Sequence, residues 1–209
     1  MIETVVSMGL AVDEAMEIRK NHLAPKVLTG KEKRICIVTG THGDELEGQY
    51  VCYEIIRRIN ENPSCLKGIV DVYPATNPLG VDCMTRGVPM FDLDLNRIFP
   101  GNEHGHMAEY AASKIIEDIA GADVCIDIHA SNVFLREIPQ VRINEQTVDT
   151  LLPLAKELNV DYIWIHAAAT VLESTLAYSL NVRNTPTLVV EMGVGLRITE
   201  SFCHQLTDG

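Results

Sequence analysis

A Cys-x-x-Cys pair, the usual mark of a thiol metal or redox site, is absent, although the chain has six cysteines (Cys36, Cys52, Cys65, Cys83, Cys125, Cys203). Several of them fall inside apolar periodic segments and read as reduced, mostly buried thiols, which is the expectation for a cytoplasmic protein. No apolar run approaches the length needed to span a bilayer. The opening Met1-Ile2-Glu3-Thr4 lacks the basic start and apolar core of a signal peptide, so export is not indicated. Positive charge is scarce as well. The net charge of −12 leaves no basic stripe to displace counterions, which argues against nucleic acid and anionic membranes as partners. In such a field, an arginine that receives an anionic ligand must work locally, and arginines in the middle of the chain become informative. Internal repeats and low-complexity segments are also missing.

What remains is ordinary for a soluble globular chain: 209 residues, 46% apolar and 22% charged. That is enough for one domain, or one and a fraction, with a sizeable core. Strands are expected at Thr4 to Leu10, Arg34 to Thr39, Ile69 to Tyr73, Asp123 to His129, Asp161 to Ile165 and Thr187 to Met192. Helices are expected at Asp13 to Lys20, Leu46 to Ile59, Gly105 to Ala120, Thr147 to Leu158, Leu172 to Leu180 and Leu196 to Leu206. Ser131 to Asn144 reads as extended or loop. Alternation of the two types implies a three-layer α/β/α fold around a mixed, mostly parallel sheet. Pro74 to Gly101 shows no sustained period but carries too many apolar anchors for disorder, and reads as an ordered active-site wall.

The organising stretch is Val38-Thr39-Gly40-Thr41-His42-Gly43-Asp44-Glu45, a strand-to-helix junction. It places His42 and Glu45 three residues apart, where one nitrogen and one carboxylate can face a single point. With His129, at the end of another expected strand, they make a His₂Glu zinc set that leaves a position for water. Glu191 ends a third strand behind Thr-Leu-Val-Val, where an apolar setting can raise its pKa for general base work. Arg86 and Arg97 are the candidates for stabilising developing negative charge and for a bidentate carboxylate contact. Asp127, two residues before His129, can orient that ligand or pair elsewhere.

These pieces together resemble the aspartoacylase and succinylglutamate desuccinylase family of the zinc carboxypeptidase superfamily. The resemblance rests on Gly40-Thr41-His42-Gly43-Asp44-Glu45, Asn77-Pro78, Thr85-Arg86, Asp94-Leu95-Asn96-Arg97 with Phe99-Pro100-Gly101, Asp127-Ile128-His129 and Glu191-Met192-Gly193, in the family's order. It implies one Zn²⁺ held by His42, Glu45 and His129, with Glu191 as general acid/base. It further implies that Arg86 helps polarise the scissile carbonyl and that Asn96 and Arg97 receive a substrate carboxylate. The implied reaction is hydrolysis of a small anionic N-acyl amino acid. Residues 1–209 would then be the catalytic domain, without the β-rich C-terminal domain that family members generally add. Arg183 is the one arginine in the stretch that would select an acidic acyl group, so acidic specificity is not indicated. The oligomeric state stays open.

The plain structural alternatives are a glutamate favouring a positive helix end at position 45, a paired carboxylate at 191 and an Arg97 that pairs with Asp92 or Asp94. His104, His106 and His166 read as surface or supporting residues, and Arg136 and Arg142 as loop arginines near a pocket. A carboxypeptidase acting on peptide C-termini, and a metal-dependent protein that binds an acyl amino acid without cleaving it, are the competing functions.

Overall fold

The computed structural model describes residues 1–167 and 173–209. Its strands are β1 (Ile2–Gly9), β2 (Ala15–Leu23), β3 (Arg34–Val38), β4 (Ile69–Tyr73), β5 (Val124–His129), β6 (Glu137–Asn144), β7 (Tyr162–His166) and β8 (Thr187–Gly193). Its helices are α1 (Glu47–Glu61), α2 (Pro78–Cys83), α3 (Met107–Ile119), α4 (Val148–Ala155), α5 (Leu176–Asn181) and α6 (Glu200–Asp208). All eight strands join one sheet in the order β1-β2-β4-β3-β5-β8-β6-β7. The four central strands β4, β3, β5 and β8 run parallel. β2 and β6 flank them antiparallel, and β7 pairs parallel with β6.

The parallel strands are buried on both faces because their alternate residues feed two cores. Cys36, Val38, Tyr73 and Cys125 enter one core with Ile115 and Ile119 of α3 and Leu176 and Leu180 of α5. Ile37, Val72, Ile128, Leu188 and Val190 enter the other with Val51 and Cys52 of α1, Leu151 of α4 and Leu206 of α6. Each fully buried aliphatic side chain contributes about 1.5–3 kcal/mol, so these two layers carry most of the fold. The result is the expected α/β/α sandwich.

One expected element is corrected. Asp13 to Lys20 reads as a helix in the sequence, yet Ala15–Leu23 is a strand. Met16 and Ile18 are buried while Arg19 is exposed, an alternation that suits the sheet, and β1 pairs with it antiparallel. A tight turn, with Leu10 N–H bonded to Glu14 O at 2.7 Å, joins the two. Lys20 points inward, 2.8 Å from Asp118 and 3.5 Å from Asp71. Asp71 is nearly inaccessible and also takes Arg34 Nε at 2.8 Å and His22 Nδ1 at 2.6 Å. This cluster ties β2, β3 and β4 to α3. Burial alone would raise the Asp71 pKa, but His22 and Arg34 hold it below its ordinary value.

Other differences are of extent. Within Ser131 to Asn144, Glu137–Asn144 forms strand β6. The last helix begins at Glu200 rather than Leu196, whose positive φ of 62° takes it out of a helix. Leu172, where a helix is expected to start, lies outside the described residues.

Candidate metal-dependent active site

His42 and Glu45 lie in the connection that carries the chain from β3 over the top of the sheet into α1. That connection is pinned on its outer side. Gly43 N–H bonds to Thr85 O at 2.9 Å, and Gly43 packs so tightly on the Gly80 backbone that a Cβ has no room. Asn77 caps α2 by accepting from Gly80 N–H at 3.0 Å and donates from Nδ2 to Gly87 O at 3.1 Å. The Asn77-Pro78 and Thr85-Arg86 segments are therefore the scaffold that delivers Arg86. His129 is the last residue of β5, directly across the β5–β8 ladder from Glu191.

At the centre sits the Glu45 carboxylate. Its Oε1 is 2.8 Å from His42 Nδ1, and its Oε2 is 3.0 Å from His129 Nδ1 and accepts Ala130 N–H at 3.0 Å. The imidazole centroids are 5.1 Å apart. All three residues are buried, and one potential ligand atom from each lies within 4.8 Å of the others, a grouping that suits a metal ion. The donor chemistry fits Zn²⁺. So does one orphaned atom: His42 Nδ1 makes no hydrogen bond of usable geometry, despite the nearness of Glu45. His42 is also backed on its other nitrogen, Nε2, by Asp94 Oδ1 at 3.0 Å, which favours a proton on Nε2 and leaves Nδ1 as the donor to a metal. Asp127 Oδ2 lies 3.1 Å from His129 Nε2 without forming a hydrogen bond.

The electrostatics follow from this crowding. Burial would lower both histidine pKa values, but the carboxylates of Asp94 and Glu45 raise that of His42, and Asp127 and Glu45 raise that of His129. Burial would raise Glu45, yet the two imidazoles hold it well below the usual carboxylate range. Asp94 is likewise held low, against its burial, by His42 and Arg86. Glu191 goes the other way. Burial pushes it up to about 7, although His129 and Arg142 draw it down.

Arg86 bridges Glu45 Oε1 at 3.1 Å and Asp94 Oδ2 at 3.2 Å and is 46% exposed, so it borders the site with donors left over. Asn96 is buried. Its Oδ1 accepts Leu176 N–H at 2.9 Å, which anchors the start of α5, and its Nδ2 stands 3.5 Å from His129 Nε2. Arg97 is exposed at the cavity edge and donates to Asn96 O at 2.8 Å. It pairs with neither Asp92 nor Asp94 and makes no ion pair among the described residues. His42, Glu45, Arg86, Asn96, Arg97, His129 and Glu191 thus all border one cavity of about 690 Å³. Beyond Glu191 the cavity continues past Arg142 and Asn144 towards His166 and Asn181. Arg183 donates to Ser179 O and is not part of this wall, and His104 and His106 are exposed outside it.

The pattern of the succinylglutamate desuccinylase/aspartoacylase catalytic domain runs through residues 31–209. The chain belongs to that family. Within this desuccinylase/aspartoacylase family it is 29% identical over 114 residues to an N-alpha-acetyl-L-2,4-diaminobutyric acid deacetylase from Halomonas elongata, an alignment that takes in 54% of this chain and 33% of the relative. Its fold matches a succinylglutamate desuccinylase from Silicibacter sp. with a TM-score of 0.83 at 20% identity, covering 99% of this chain and 64% of the other. It matches a succinylglutamate desuccinylase/aspartoacylase from Rhodobacter sphaeroides with a TM-score of 0.81 at 21% identity, covering 99% and 62%. The chain therefore spans about a third of its curated relative and under two thirds of these solved ones. No helix among the described residues is long and apolar enough to cross a membrane.

The roles of three residues of this family member escape a reading of the sequence, although Asp94 and Arg142 are named in it. Asp94, quoted there as part of a motif, turns out to be the residue that joins His42 to Arg86 and accepts Asn96 N–H at 2.8 Å. Glu137 and Arg142 form an ion pair beside Glu191. The only signal for the latter two is their spacing of five on a strand that the sequence leaves as extended or loop.

Proposed function

We propose that this chain is the catalytic part of a zinc-dependent amidohydrolase that deacylates an N-acyl amino acid or a related N-acylated amine. The observation that carries the reading is the convergence, in one cavity, of the His42–Glu45–His129 donor set and a half-buried carboxyl, Glu191, poised near neutrality. Zinc bound by those three residues would supply a Lewis acid and make a water more acidic. Glu191 takes the proton of the attacking water as the new C–O bond forms, and returns it to the leaving nitrogen as the C–N bond breaks. A carboxylic acid and a free amine leave. Arg86, with donors free beyond its contacts to Glu45 and Asp94, receives the carbonyl oxygen as it gains charge. Arg97, without an ion pair among the described residues, receives the substrate carboxylate at the edge, and Asn96 holds the start of α5 in place. The family match and the deacetylase relative support this class of reaction. Six free thiols, four of them buried, support a reducing, cytoplasmic setting.

The test is product detection by mass spectrometry across N-acetyl and N-succinyl amino acids and short peptides, with zinc content measured in parallel. Glu191→Gln should keep zinc and lose about 10²- to 10⁴-fold in turnover. His42→Ala should lose both. Full turnover by Glu191→Gln would remove the assigned base, and release of C-terminal residues from peptides alone would make this a carboxypeptidase.

A further inference from the structure

Among the described residues that line the cavity beside Glu191, Arg142 is the cation nearest to it, and it is already engaged. Arg142 is the last residue of β6 in register with β8, opposite Val189. Its Nη2 donates to both oxygens of Glu137, at 2.8 and 3.0 Å, and its Nη1 donates to Glu191 Oε1 at 3.3 Å. The guanidinium also lies over the Trp164 ring, 5.1 Å from its centroid. Nε is buried and without a partner, and one Nη1 hydrogen is not used by these bonds. The three side chains are 16–26% exposed, so water does little to screen the pairs. The rest of the wall mixes neutral polar side chains, Asn144, His166 and Asn181, with apolar ones such as Leu151 and Val182.

A pocket built to take an acidic group needs a guanidinium whose fork faces the ligand. Here Glu137 takes Nη2 with both oxygens and Glu191 takes Nη1, so the two carboxylates fill the fork between them. We propose that Glu137 is a specificity-determining residue: by closing the Arg142 fork, it makes the inner pocket select a neutral hydrogen-bonding group, such as an amide, and reject a carboxylate. The proposal rests on the deacylase reading for the identity of the ligands. Its logic is that of exclusion, since a second carboxylate entering beside Glu137 and Glu191 meets like charge while Arg142 is already engaged by both.

Non-hydrolysable probes avoid any dependence on turnover. Calorimetric titration would compare L-glutamine with L-glutamate, and succinamate with succinate, as isosteric pairs for the amine and acyl sides. The zinc-loaded and metal-free forms of the whole chain would both be used. In the native protein the neutral member of at least one pair should bind more tightly. In Glu137→Gln the order should reverse, the acidic member gaining about 10- to 100-fold as it takes over the released fork. Glu137→Ala guards against a glutamine that still holds the arginine. Glu137→Gln with Arg142→Met should lose the gain, which a merely structural role for Glu137 would not predict. Tenfold preference for an acidic member in the native protein overturns the proposal, as do equal ratios in native and variant proteins, or no binding of any probe. A protein that deacylates but shows no reversal overturns this inference alone. One that shows the reversal but cleaves no amide overturns the deacylase reading alone.

Discussion

Gly193 ends β8 two residues after Glu191, and its replacement by alanine tests how the strand end that carries the Glu191 carboxylate is held. The residue has φ of +75°, and a Cβ there would overlap Glu47 Oε1. That same Oε1 accepts Val194 N–H at 3.2 Å, so Glu47, fully buried at the start of α1, clamps the outgoing end of β8. Gly193→Ala should cost about 1–2 kcal/mol for placing a non-glycine residue in the left-handed region. Displacing the Glu47 carboxylate should add about 1.5–3 kcal/mol for the lost hydrogen bond to a charged group. The sum of about 3–5 kcal/mol is a large fraction of the stability of a typical domain. In a Glu47→Ala background the clamp is already gone, and the same glycine substitution should cost only the backbone share of about 1–2 kcal/mol. Urea denaturation of the four proteins, followed by far-ultraviolet circular dichroism, reads this cycle. Equal costs in the two backgrounds would refute the clamp, and a cost below about 1 kcal/mol in both would refute the backbone argument as well.

Four further outcomes are expected. Glu191 must be ionised to accept a proton, and burial sets its pKa at about 7, so kcat/KM should rise through an acid limb near pH 7 and level off above it. Arg142→Met removes a cation that favours the charged form and should move the limb upward, whereas a downward move would contradict the assignment. For stability the sign is opposite: the raised folded pKa means that Glu191 favours the fold while protonated, and that contribution fades as pH climbs from the unfolded value of about 4.3 towards 7. At the other side of the sheet, Asp71→Asn leaves Arg34 and Lys20 short of a buried counter-charge and should destabilise the chain by about 3–5 kcal/mol in urea melts. A change under about 1 kcal/mol would mean that Asp118 alone satisfies the cluster.

What the sequence shows and hides about this site has a physical basis. His42 and Glu45 are three residues apart on one connection, and His129 and Glu191 each end an apolar strand, so local pattern alone places all four at strand ends on one side of the sheet. The helix expected at Asp13 to Lys20 fails because Met16, Ile18 and Lys20 all turn inward, and Lys20 does so only because Asp118 of α3 and Asp71 of β4 wait there, both distant in sequence. A lysine on an apolar face reads as a break in the alternation until its partners are in view. The same reasoning separates Arg97 from Arg142. Both belong to segments without helical period, though only Arg142 reads as a loop arginine. Arg97 keeps to the edge, bonded to Asn96 O and without an ion pair among the described residues, because His42 and Arg86 take Asp94. Arg142 is turned onto Glu137 and Glu191 by the antiparallel insertion of β6 beside β8, which sets Glu137 across from Gly193 and Arg142 across from Val189. That register is fixed by packing between segments about 50 residues apart, and no spacing within either segment encodes it. Side chains grouped as a candidate metal set leave a local signature in each element that carries them. The charges of Glu137 and Arg142 behind that set depend instead on which strands become neighbours.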